Sequence, residues 1–243
     1  MKAVLLAAGL GTRLRPITQT VPKCLVPIRG RPLLDYWLEH LLGQGIVDEV
    51  RINTHYLADQ VRAHVAQSPW RDRIELVHEE TLLGTGGTVL ASREWLGRSA
   101  FLVAHADNLT DAHIGDLVAA HHAADADILM TLLAFRTDRP QDCGILELDP
   151  NGRVRGFHEK VADPPGNLAN GAIYVVSPEV LDHLGSLGRS VIDLSTEVIP
   201  FLVPRIQARV HTGFFKDIGS PKALAEAEAR FRLPPDGDVA FTL

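Results

Sequence analysis

The chain has 243 residues, of which 46% are hydrophobic and 22% charged, so its composition is that of a folded globular protein and excludes a disordered chain. Its 24 Lys and Arg against 30 Asp and Glu give a net charge of -6, which argues against a general nucleic-acid binder but allows a local basic cleft for a small polyanion. Two cysteines without a CxxC spacing exclude a disulfide framework and a zinc ribbon, and they favour a reducing cytoplasm.

The N-terminal segment MKAVLLAAGL imitates a signal peptide, because a lysine precedes an apolar run. The run is short, however, and it leads into a loop of glycine and arginine rather than to a cleavage site. No later apolar run is long enough to cross a membrane. We therefore expect a cytoplasmic protein with no membrane partner.

Short apolar runs alternate with amphipathic segments through the first half of the chain. In chain order the pattern predicts a strand at residues 2–8, a helix at 33–45, a strand at 47–54, a helix at 57–68, a strand at 73–79, a helix at 84–96 and a strand at 100–107. This rhythm predicts parallel strands with crossover helices, so sites should gather at the carboxyl ends of the strands.

The second half begins with a predicted helix at 114–127 and a strand at 128–137. A hairpin is predicted over residues 144–160, with its turn at Asp149-Pro150-Asn151-Gly152. A strand and helix follow in 171–184, and the closing helix should be capped by Ser220 with Pro221 at its first position. Residues 233–243 are predicted to form a tail. No repeat or linker divides the chain, so we expect a single domain over 1–232.

The loop after the first strand contains two glycines, Gly9 and Gly11. Such a loop offers backbone N–H groups to phosphate oxygens, because no side chain blocks the approach. The loop is neither a Walker loop nor GxGxxG. The charges of Arg13 and Lys23, which follow it, could neutralise a triphosphate tail as pyrophosphate leaves. The alternative is a plain turn with solvated basic residues.

Residues 6–28, LAAGLGTRLRPITQTVPKCLVPI, resemble the signature of the sugar-1-phosphate nucleotidylyltransferase family, which runs approximately GxGTRLxPLT and then PKP. The matching residues are Gly9, Gly11, Thr12, Arg13, Leu14, Pro16, Thr18, Pro22 and Lys23. Cys24 stands where the family usually has proline, a change that affects local rigidity more than charge. The resemblance implies nucleotide binding by Ala7, Ala8, Gly9, Gly11, Thr12 and Arg13.

Two aspartates are candidate metal ligands. Asp107 ends the apolar strand in FLVAHADN, and Asp217 lies in FFKDIGSP before a helix start. Without the glycine loop, the residues alone would favour a turn residue for Asp107 and a helix-associated cap for Asp217. The resemblance implies that both bind Mg²⁺, that Asp107 also contacts the nucleotide and that Asn108 contacts the second substrate. His105, two residues earlier, either tunes this site or packs beside it.

Further segments resemble the family in the same chain order. The turn Gly84-Thr85-Gly86-Gly87 would contact the nucleobase through its backbone, although glycines there could also serve close packing. The resemblance assigns the sugar phosphate to Lys160 and the sugar hydroxyls to Glu159. It also implies sugar contacts for Gly144, Asn170 and Gly171. The segment DLSTEVIP, with Asp193 and Glu197, is interpreted as architectural.

The resemblance implies an α/β fold with a Rossmann-like mixed, mainly parallel sheet flanked by helices, the nucleotide-diphospho-sugar transferase fold. Residues 1–125 would be its nucleotide-binding half and residues 126–232 its sugar-phosphate-binding half. The implied enzyme transfers a nucleotidyl group from a nucleoside triphosphate to a sugar 1-phosphate, with Arg13, Lys23 and Lys160 as catalytic residues and Mg²⁺ as cofactor. Its expected partners are small-molecule substrates and other copies of itself, with no nucleic acid.

The segments most resemble enzymes that use GTP with mannose 1-phosphate or manno-heptose 1-phosphate. Thymidylyl or uridylyl transfer to glucose 1-phosphate or N-acetylmuramate 1-phosphate stays open, as does a non-catalytic regulatory relative. A further alternative is choline phosphate or a pterin cofactor as the acceptor, but the segments with Glu159-Lys160 and Asn170-Gly171 favour a sugar. A dehydrogenase is the weakest alternative, because no convincing GxGxxG unit with an acidic ribose-binding residue is present.

Overall fold

The computed structural model describes residues 1–232 and shows strands and helices alternating along the chain. The strands are β1 (Lys2–Leu6), β2 (Pro27–Ile28), β3 (Arg31–Pro32), β4 (Glu49–Thr54), β5 (Ile74–His78), β6 (Phe101–His105), β7 (Asn108–Thr110), β8 (Met130–Arg136), β9 (Gly144–Leu148), β10 (Val154–Glu159), β11 (Leu168–Val176), β12 (Ile206–His211) and β13 (Phe215–Asp217). The predicted tail, residues 233–243, lies outside the described residues.

The α-helices are α1 (Leu33–Leu38), α2 (Ala58–Ala66), α3 (Gly84–Ala91), α4 (Arg93–Leu96), α5 (Ile114–His122), α6 (Glu179–Ser186), α7 (Ile199–Leu202) and α8 (Pro221–Arg230). π-helical turns lie at Glu39–Gly43 and Leu194–Val198, and 3-10 turns at Thr12–Leu14, Ile17–Gln19, Lys23–Leu25, Arg71–Arg73 and Pro140–Asp142. Among residues 1–232, no helix has the length and apolarity needed to span a bilayer. Each predicted strand and helix is present with shifted ends, but the predicted helix at 84–96 is divided into α3 and α4, and the predicted helix at 33–45 is α-helical only in α1 and continues as a π-helical turn.

The described chain divides into two compact units that are interleaved along the sequence. Unit 1 contains residues 1–82, 104–111 and 214–232, and unit 2 contains residues 83–103 and 112–213. These bounds do not coincide with the predicted halves on either side of residue 125. The assignment of one half of the chain to each substrate stays a prediction.

Within unit 1, β4 pairs in parallel with both β1 and β5. Leu5 of β1 lies opposite Ile52 of β4, and Ile52 lies opposite Leu76 of β5. Leu5 and Ile52 are fully buried, as expected for parallel strands covered by crossover helices. The carboxyl ends of these strands therefore lie at one edge of the sheet, where the glycine loop begins.

A second apolar cluster of unit 1 packs against the loop that follows β1. It joins Leu14 of that loop to Tyr36 of α1, to Ile218 after β13 and to Phe231 after α8. The Tyr36 hydroxyl donates a hydrogen bond to the Ile28 carbonyl at 2.8 Å, and the Tyr36 and Phe231 rings meet edge to face at 5.3 Å. Because its apolar residue is fixed in a close-packed cluster, the loop holds a defined position.

Within unit 2 the strand pairing is mixed: β8 is antiparallel to β11 and parallel to β12, and β9 is antiparallel to β10 and β11. The predicted hairpin of β9 and β10 is confirmed. In its turn, Oδ1 of Asp149 accepts hydrogen bonds from the amides of Asn151 at 2.8 Å and Arg153 at 2.9 Å. Gly152 has a φ of 81°, a conformation that favours glycine.

The sequence predicted the start of α8 correctly and the end of α5 incorrectly. The predicted cap of α8 is confirmed, since Ser220 Oγ accepts the Ala223 amide at 3.2 Å and Pro221 begins the helix. By contrast, α5 ends at His122, before the predicted residue 127. The guanidinium of Arg153 binds the carboxylates of Asp125 at 2.6 Å and Asp127 at 2.8 Å, and this distant partner favours a turn there.

Candidate active site

The glycine loop after β1 is held by hydrogen bonds at both of its ends. The Ala7 amide donates to Oδ1 of Asn53 at 2.7 Å, and the Thr18 hydroxyl donates to the Gly11 carbonyl at 2.6 Å. Gly11 has a φ of 62°, and a Cβ there would lie 2.9 Å from the Thr18 side chain, so the position requires glycine. Gly9 is exposed with open space beside it, so a ligand can approach its backbone.

Strand pairing in unit 1 brings two carboxylates together. Asp107 lies in the turn between β6 and β7, and its carbonyl accepts the Ile218 amide at 2.9 Å. Because β13 is antiparallel to β7, Asp217 lies opposite Asn108, the neighbour of Asp107. The two aspartate side chains therefore reach the same point, the ammonium group of Lys23.

The Lys23 ammonium bridges the two carboxylates. Its Nζ lies 2.5 Å from Oδ2 of Asp107 and 3.3 Å from Oδ1 of Asp217. The Lys23 side chain is only 10% exposed, so it is largely withdrawn from water. Arg13, which is exposed, places Nη2 3.5 Å from the other oxygen of Asp217. Arg13, Lys23, Asp107 and Asp217, which we call the charged cluster, thus join three separate stretches of the chain.

The environment keeps Asp107 ionised. Burial acting alone would raise the pKa of Asp107, but the charges of Lys23 and His105 and the hydrogen bond from Lys23 hold that pKa below its usual value. His105 therefore contributes to the electrostatics of this carboxylate, one of the two roles left open for it. Burial raises the pKa of the neighbouring Cys24 thiol to about 12, so the residue that replaces the family's proline is neutral.

Asp107 and Asp217 fit a hard divalent cation, because ionised carboxylates are the oxygen ligands that Mg²⁺ prefers. Within residues 1–232, no group of three or more His, Cys, Asp and Glu side chains is placed to hold a metal ion. An ion at this pair would therefore take its remaining ligands from phosphate and water, as Mg²⁺ does in sites of phosphoryl transfer. Its binding here stays a prediction.

In unit 2 the turn of residues 84–87 packs tightly against a neighbouring segment. The amides of Gly86 and Gly87 donate to the Ile192 carbonyl at 2.8 and 3.1 Å. A Cβ on Gly87 would lie 2.0 Å from the Ser190 carbonyl oxygen. Close packing, one of the two predicted alternatives for these glycines, thus has direct support. Nucleobase binding by Gly84, Thr85, Gly86 and Gly87 stays a prediction, and the amides of Gly86 and Gly87 already have a protein partner.

A network of side chains joins this turn to the segment DLSTEVIP. The Thr85 hydroxyl accepts the Leu194 amide at 2.7 Å and donates to Asp193 at 3.3 Å. Asp193 in turn accepts the Thr196 amide at 2.9 Å, and Glu197 accepts the Asp193 amide at 2.7 Å. This reciprocal arrangement caps a helical turn, which agrees with the architectural role expected of Asp193 and Glu197.

The hairpin of unit 2 brings three predicted sugar-binding residues together. Glu159 lies opposite Gly144, and a Cβ on Gly144 would lie 2.5 Å from the Glu159 carboxylate, so glycine makes room for that group. Lys160 Nζ lies 3.0 Å from the same carboxylate, and its side chain is 65% exposed. Lys160 has a φ of 49°, with its amide bound to the Cys143 carbonyl at 3.1 Å, so the turn fixes its backbone.

Asn170 lies on β11 beside this hairpin. Its Nδ2 donates to the Tyr174 hydroxyl at 2.8 Å. Burial raises the pKa of Tyr174, and the carboxylates of Glu159 and Asp193 raise it further. The hydrogen bond from Asn170 opposes this rise in the pKa.

The remaining predicted residues are framework positions as well as site candidates. Ala8 is buried, whereas Thr12 is exposed at the start of a 3-10 turn. Asn108 is only 5% exposed, and its backbone carbonyl accepts the Trp37 indole N–H at 2.8 Å. Gly171 follows Asn170 in the irregular part of β11. Substrate contacts for Asn108 and Gly171 stay predictions.

The structure adds a buried polar pair that the sequence analysis missed. Nδ2 of Asn53 donates to Oε1 of Glu79 at 2.9 Å, and each residue is 5% exposed. This bond orients the Asn53 oxygen that holds the Ala7 amide. A polar residue at the end of an apolar strand was the available signal, the same signal that singled out Asp107.

Gly219 is a second residue that the sequence analysis missed. A Cβ at this position would lie 2.7 Å from Nη2 of Arg13 and 2.9 Å from each carboxylate oxygen of Asp217. Glycine therefore allows the arginine and the aspartate to meet. Arg13 is distant from Gly219 in the sequence, and the sequence does not show that the two meet at Asp217. No sequence pattern therefore indicated a role for Gly219.

Residues 2–232 match the family model described as nucleotidyl transferase, so the chain belongs to the nucleotidyl transferase family. It is 33% identical over 235 residues to a glucose-1-phosphate thymidylyltransferase of Streptomyces griseus, with 93% of this chain and 64% of the relative covered. It is also 33% identical over 232 residues to a mannose-1-phosphate guanylyltransferase of Mycobacterium tuberculosis, covering 93% and 63%. The predicted sugar-1-phosphate nucleotidylyltransferase family is confirmed. The chain spans slightly less than two thirds of the length of these relatives.

The fold class is confirmed by a solved structure. A putative glucose-1-phosphate thymidylyltransferase from Bacillus anthracis, in complex with a sucrose, matches with a TM-score of 0.83 and 20% identity. The match covers 99% of this chain and 97% of that chain. The fold is thus the nucleotide-diphospho-sugar transferase fold, with a mixed, mainly parallel central sheet flanked by helices.

Proposed function

We propose that the protein transfers a nucleotidyl group from a nucleoside triphosphate to a sugar 1-phosphate, giving a nucleotide sugar and pyrophosphate. The charged cluster carries the proposal, because Lys23 and Arg13 meet two carboxylates next to the glycine loop. Family membership supports the reaction class, and the two relatives named above support a sugar 1-phosphate as the acceptor.

The proposed reaction requires the protein chiefly to position the two substrates and to neutralise their negative charge. A sugar 1-phosphate is already an anionic nucleophile at neutral pH, so in-line attack on the α-phosphorus needs no general base. The barrier arises from bringing two anions together and from the charge that develops on departing pyrophosphate. Arg13 and Lys23 would neutralise the triphosphate. Mg²⁺ bound by Asp107 and Asp217 would supply further neutralisation of the phosphate oxygens.

The acceptor would bind in unit 2. Lys160 is exposed beside Glu159, so its ammonium is available to a phosphate. The Glu159 carboxylate can accept hydrogen bonds from sugar hydroxyls, and Gly144 makes room for that carboxylate. Asn170 would add its side-chain amide to these contacts with the acceptor.

Two substrate pairs have specific support. GTP with mannose 1-phosphate or manno-heptose 1-phosphate is the first, because of the motif resemblance and the 33% identity to the guanylyltransferase. dTTP with glucose 1-phosphate is the second, because the identity to the thymidylyltransferase is also 33%.

A substrate panel tests the proposal. Four nucleoside triphosphates are crossed with several sugar 1-phosphates, and pyrophosphate release and the mass of the product are measured with Mg²⁺ and with a chelator. One pair should exceed all others and should depend on the metal. If the wild type released pyrophosphate no faster than a variant carrying both Asp107→Asn and Asp217→Asn, catalysis would be refuted and a regulatory role favoured.

A further inference from the structure

Lys23 is assigned two different sets of partners. The proposed function gives its ammonium to the triphosphate, whereas the structure gives it to Asp107 at 2.5 Å and Asp217 at 3.3 Å. These two carboxylates are also the predicted ligands of the divalent cation. The ammonium and a divalent cation would therefore compete for the same carboxylate oxygens, because two cations at that distance repel each other.

We propose that Lys23 occupies the cation site of Asp107 and Asp217 in the protein without nucleotide and excludes a divalent ion until a polyanion draws the ammonium away. Lys23 is then a positioning residue for the metal as well as a triphosphate ligand. The metal part of this inference stands on the charged cluster alone, and its nucleotide part rests on the proposed function.

Burial makes the exclusion effective. The Lys23 side chain is 10% exposed and the Asp107 side chain 31% exposed, so their attraction is screened less than that of a surface pair. A metal ion bound to the same Asp107 oxygen would lie close to the ammonium and be repelled by it. The Asp217 carboxylate is further tied by Arg13 at 3.5 Å, so two protein cations compete with any metal ion.

A triphosphate would reverse this balance. Its oxygens offer the ammonium new charge-assisted hydrogen bonds, and departure of Lys23 leaves two ionised carboxylates for the metal. Nucleotide and metal should then bind with positive coupling, and this coupling must be reciprocal. In this scheme, either the Lys23 ammonium or the metal ion lies between the carboxylates of Asp107 and Asp217.

The test measures Mn²⁺ binding by electron paramagnetic resonance, which reports the unbound ion and needs no turnover. In the absence of nucleotide, Lys23→Met should bind Mn²⁺ about tenfold or more tighter than the wild type, because the competing cation is gone. Adding Asp107→Asn to Lys23→Met should abolish the gain. Lys216→Met is the matched control. Lys216 directly precedes Asp217 in the sequence and pairs with Glu226, so Lys216→Met changes the net charge by the same amount as Lys23→Met. Lys216→Met should bind Mn²⁺ as the wild type does.

Equal or weaker Mn²⁺ binding by a folded Lys23→Met, or an equal gain in Lys216→Met, would overturn the inference. A second measurement does not depend on that variant folding. The side-chain ammonium signal of Lys23 in ¹⁵N-lysine protein, assigned by its absence from Lys23→Arg, should ignore millimolar Mg²⁺ and shift when nucleotide is added with it. A shift of this signal with millimolar Mg²⁺ alone would also overturn the inference.

The two proposals fail in different ways. If Lys23→Met gains Mn²⁺ affinity but no nucleotide raises the Mn²⁺ affinity of the wild type, the exclusion stands and the proposed function fails. If the substrate panel yields pyrophosphate and Lys23→Met gains no affinity, the proposed function stands and the exclusion fails.

Discussion

At the scale of single residues, Asp107 connects the fold to the chemistry. Its backbone carbonyl holds the strand that carries Asp217, and its side chain holds Lys23. We predict that Asp107→Asn lowers kcat by about a hundredfold or more, because charge stabilisation of this kind is worth that much in comparable sites. Steady-state pyrophosphate release measures it. Asp59→Asn, which removes an exposed carboxylate of unit 1, should keep near-normal rates, and near-normal rates in Asp107→Asn would remove it from the metal site.

Lys160 makes a complementary prediction for the acceptor. Its ammonium is exposed and paired with Glu159, so Lys160→Ala should raise KM for the sugar 1-phosphate about tenfold or more, with a smaller change for the triphosphate, since one charge-assisted contact is lost. Initial rates with each substrate varied separate the two effects. Lys222→Ala, at an exposed position of α8, is the control. A loss confined to triphosphate binding would contradict the assignment.

The charged residues could be selected from the sequence because their types and the family motif were informative. Their geometry could not, because Lys23 lies 84 residues from Asp107 and 194 from Asp217, and only tertiary packing joins them. The pairing of Lys23 with two acids was therefore not predicted. Gly219 was missed for the same reason, since its role depends on a side chain from the opposite end of the chain.

At the scale of elements, α3 depends on the absence of a side chain. A Cβ on Gly87 would meet the Ser190 carbonyl at 2.0 Å and the Leu83 side chain at 3.0 Å, and backbone cannot yield cheaply. We predict that Gly87→Ala lowers the free energy of unfolding by about 1–3 kcal/mol, as overpacking does. Urea denaturation measures it. Gly166→Ala, at a position with open space, should change little, and equal stability in both variants would refute the packing role.

Helix α5 carries a buried histidine that predicts acid sensitivity. His121 contacts the Thr131 hydroxyl at 2.9 Å and the Ser177 hydroxyl at 3.2 Å. Burial lowers the pKa of His121, the charge of His122 lowers it further, and Glu179 opposes the shift. The unfolded chain therefore binds a proton near pH 6.5 that the folded protein resists, so stability is present above that pH and is lost as the pH falls.

The measurement is the free energy of unfolding at about pH 7.5 and pH 5.5, on either side of the unfolded histidine pKa. His121→Gln should lose less stability across this interval than the wild type. His122→Gln, which removes one charge that lowers the pKa of His121, should reduce the slope by less than His121→Gln does. An unchanged slope in His121→Gln would place the acid sensitivity elsewhere.

Elements were predictable where their determinants are local. The cap at Ser220 and the turn from Asp149 to Gly152 depend on residues within a few positions, and both are confirmed. The end of α5 was predicted too late because Arg153, far along the chain, binds the acidic residues that follow it. Propensity cannot register a partner of that kind.

At the scale of the whole molecule, binding should appear as stability. A nucleotide with Mg²⁺ at a hundredfold excess over Kd adds about 2.7 kcal/mol to the free energy of unfolding, and Tm should rise by roughly 5–10 °C. Thermal melts with four nucleoside triphosphates would rank the bases without requiring turnover. The rise should shrink with a chelator, and equal rises for all four would contradict base selection.

The interleaving of unit 1 has a consequence for biosynthesis. Residues 214–232 supply β13 and Phe231, which complete a unit whose other parts lie before residue 112. A ribosome releases Lys23 and Asp107 long before Asp217, and chains fold from the N-terminus as they emerge. The nascent protein therefore contains Asp107 without Asp217 while the residues between them are synthesised. Catalytic competence would arrive with the final stretch of unit 1, so prematurely terminated chains would be inert.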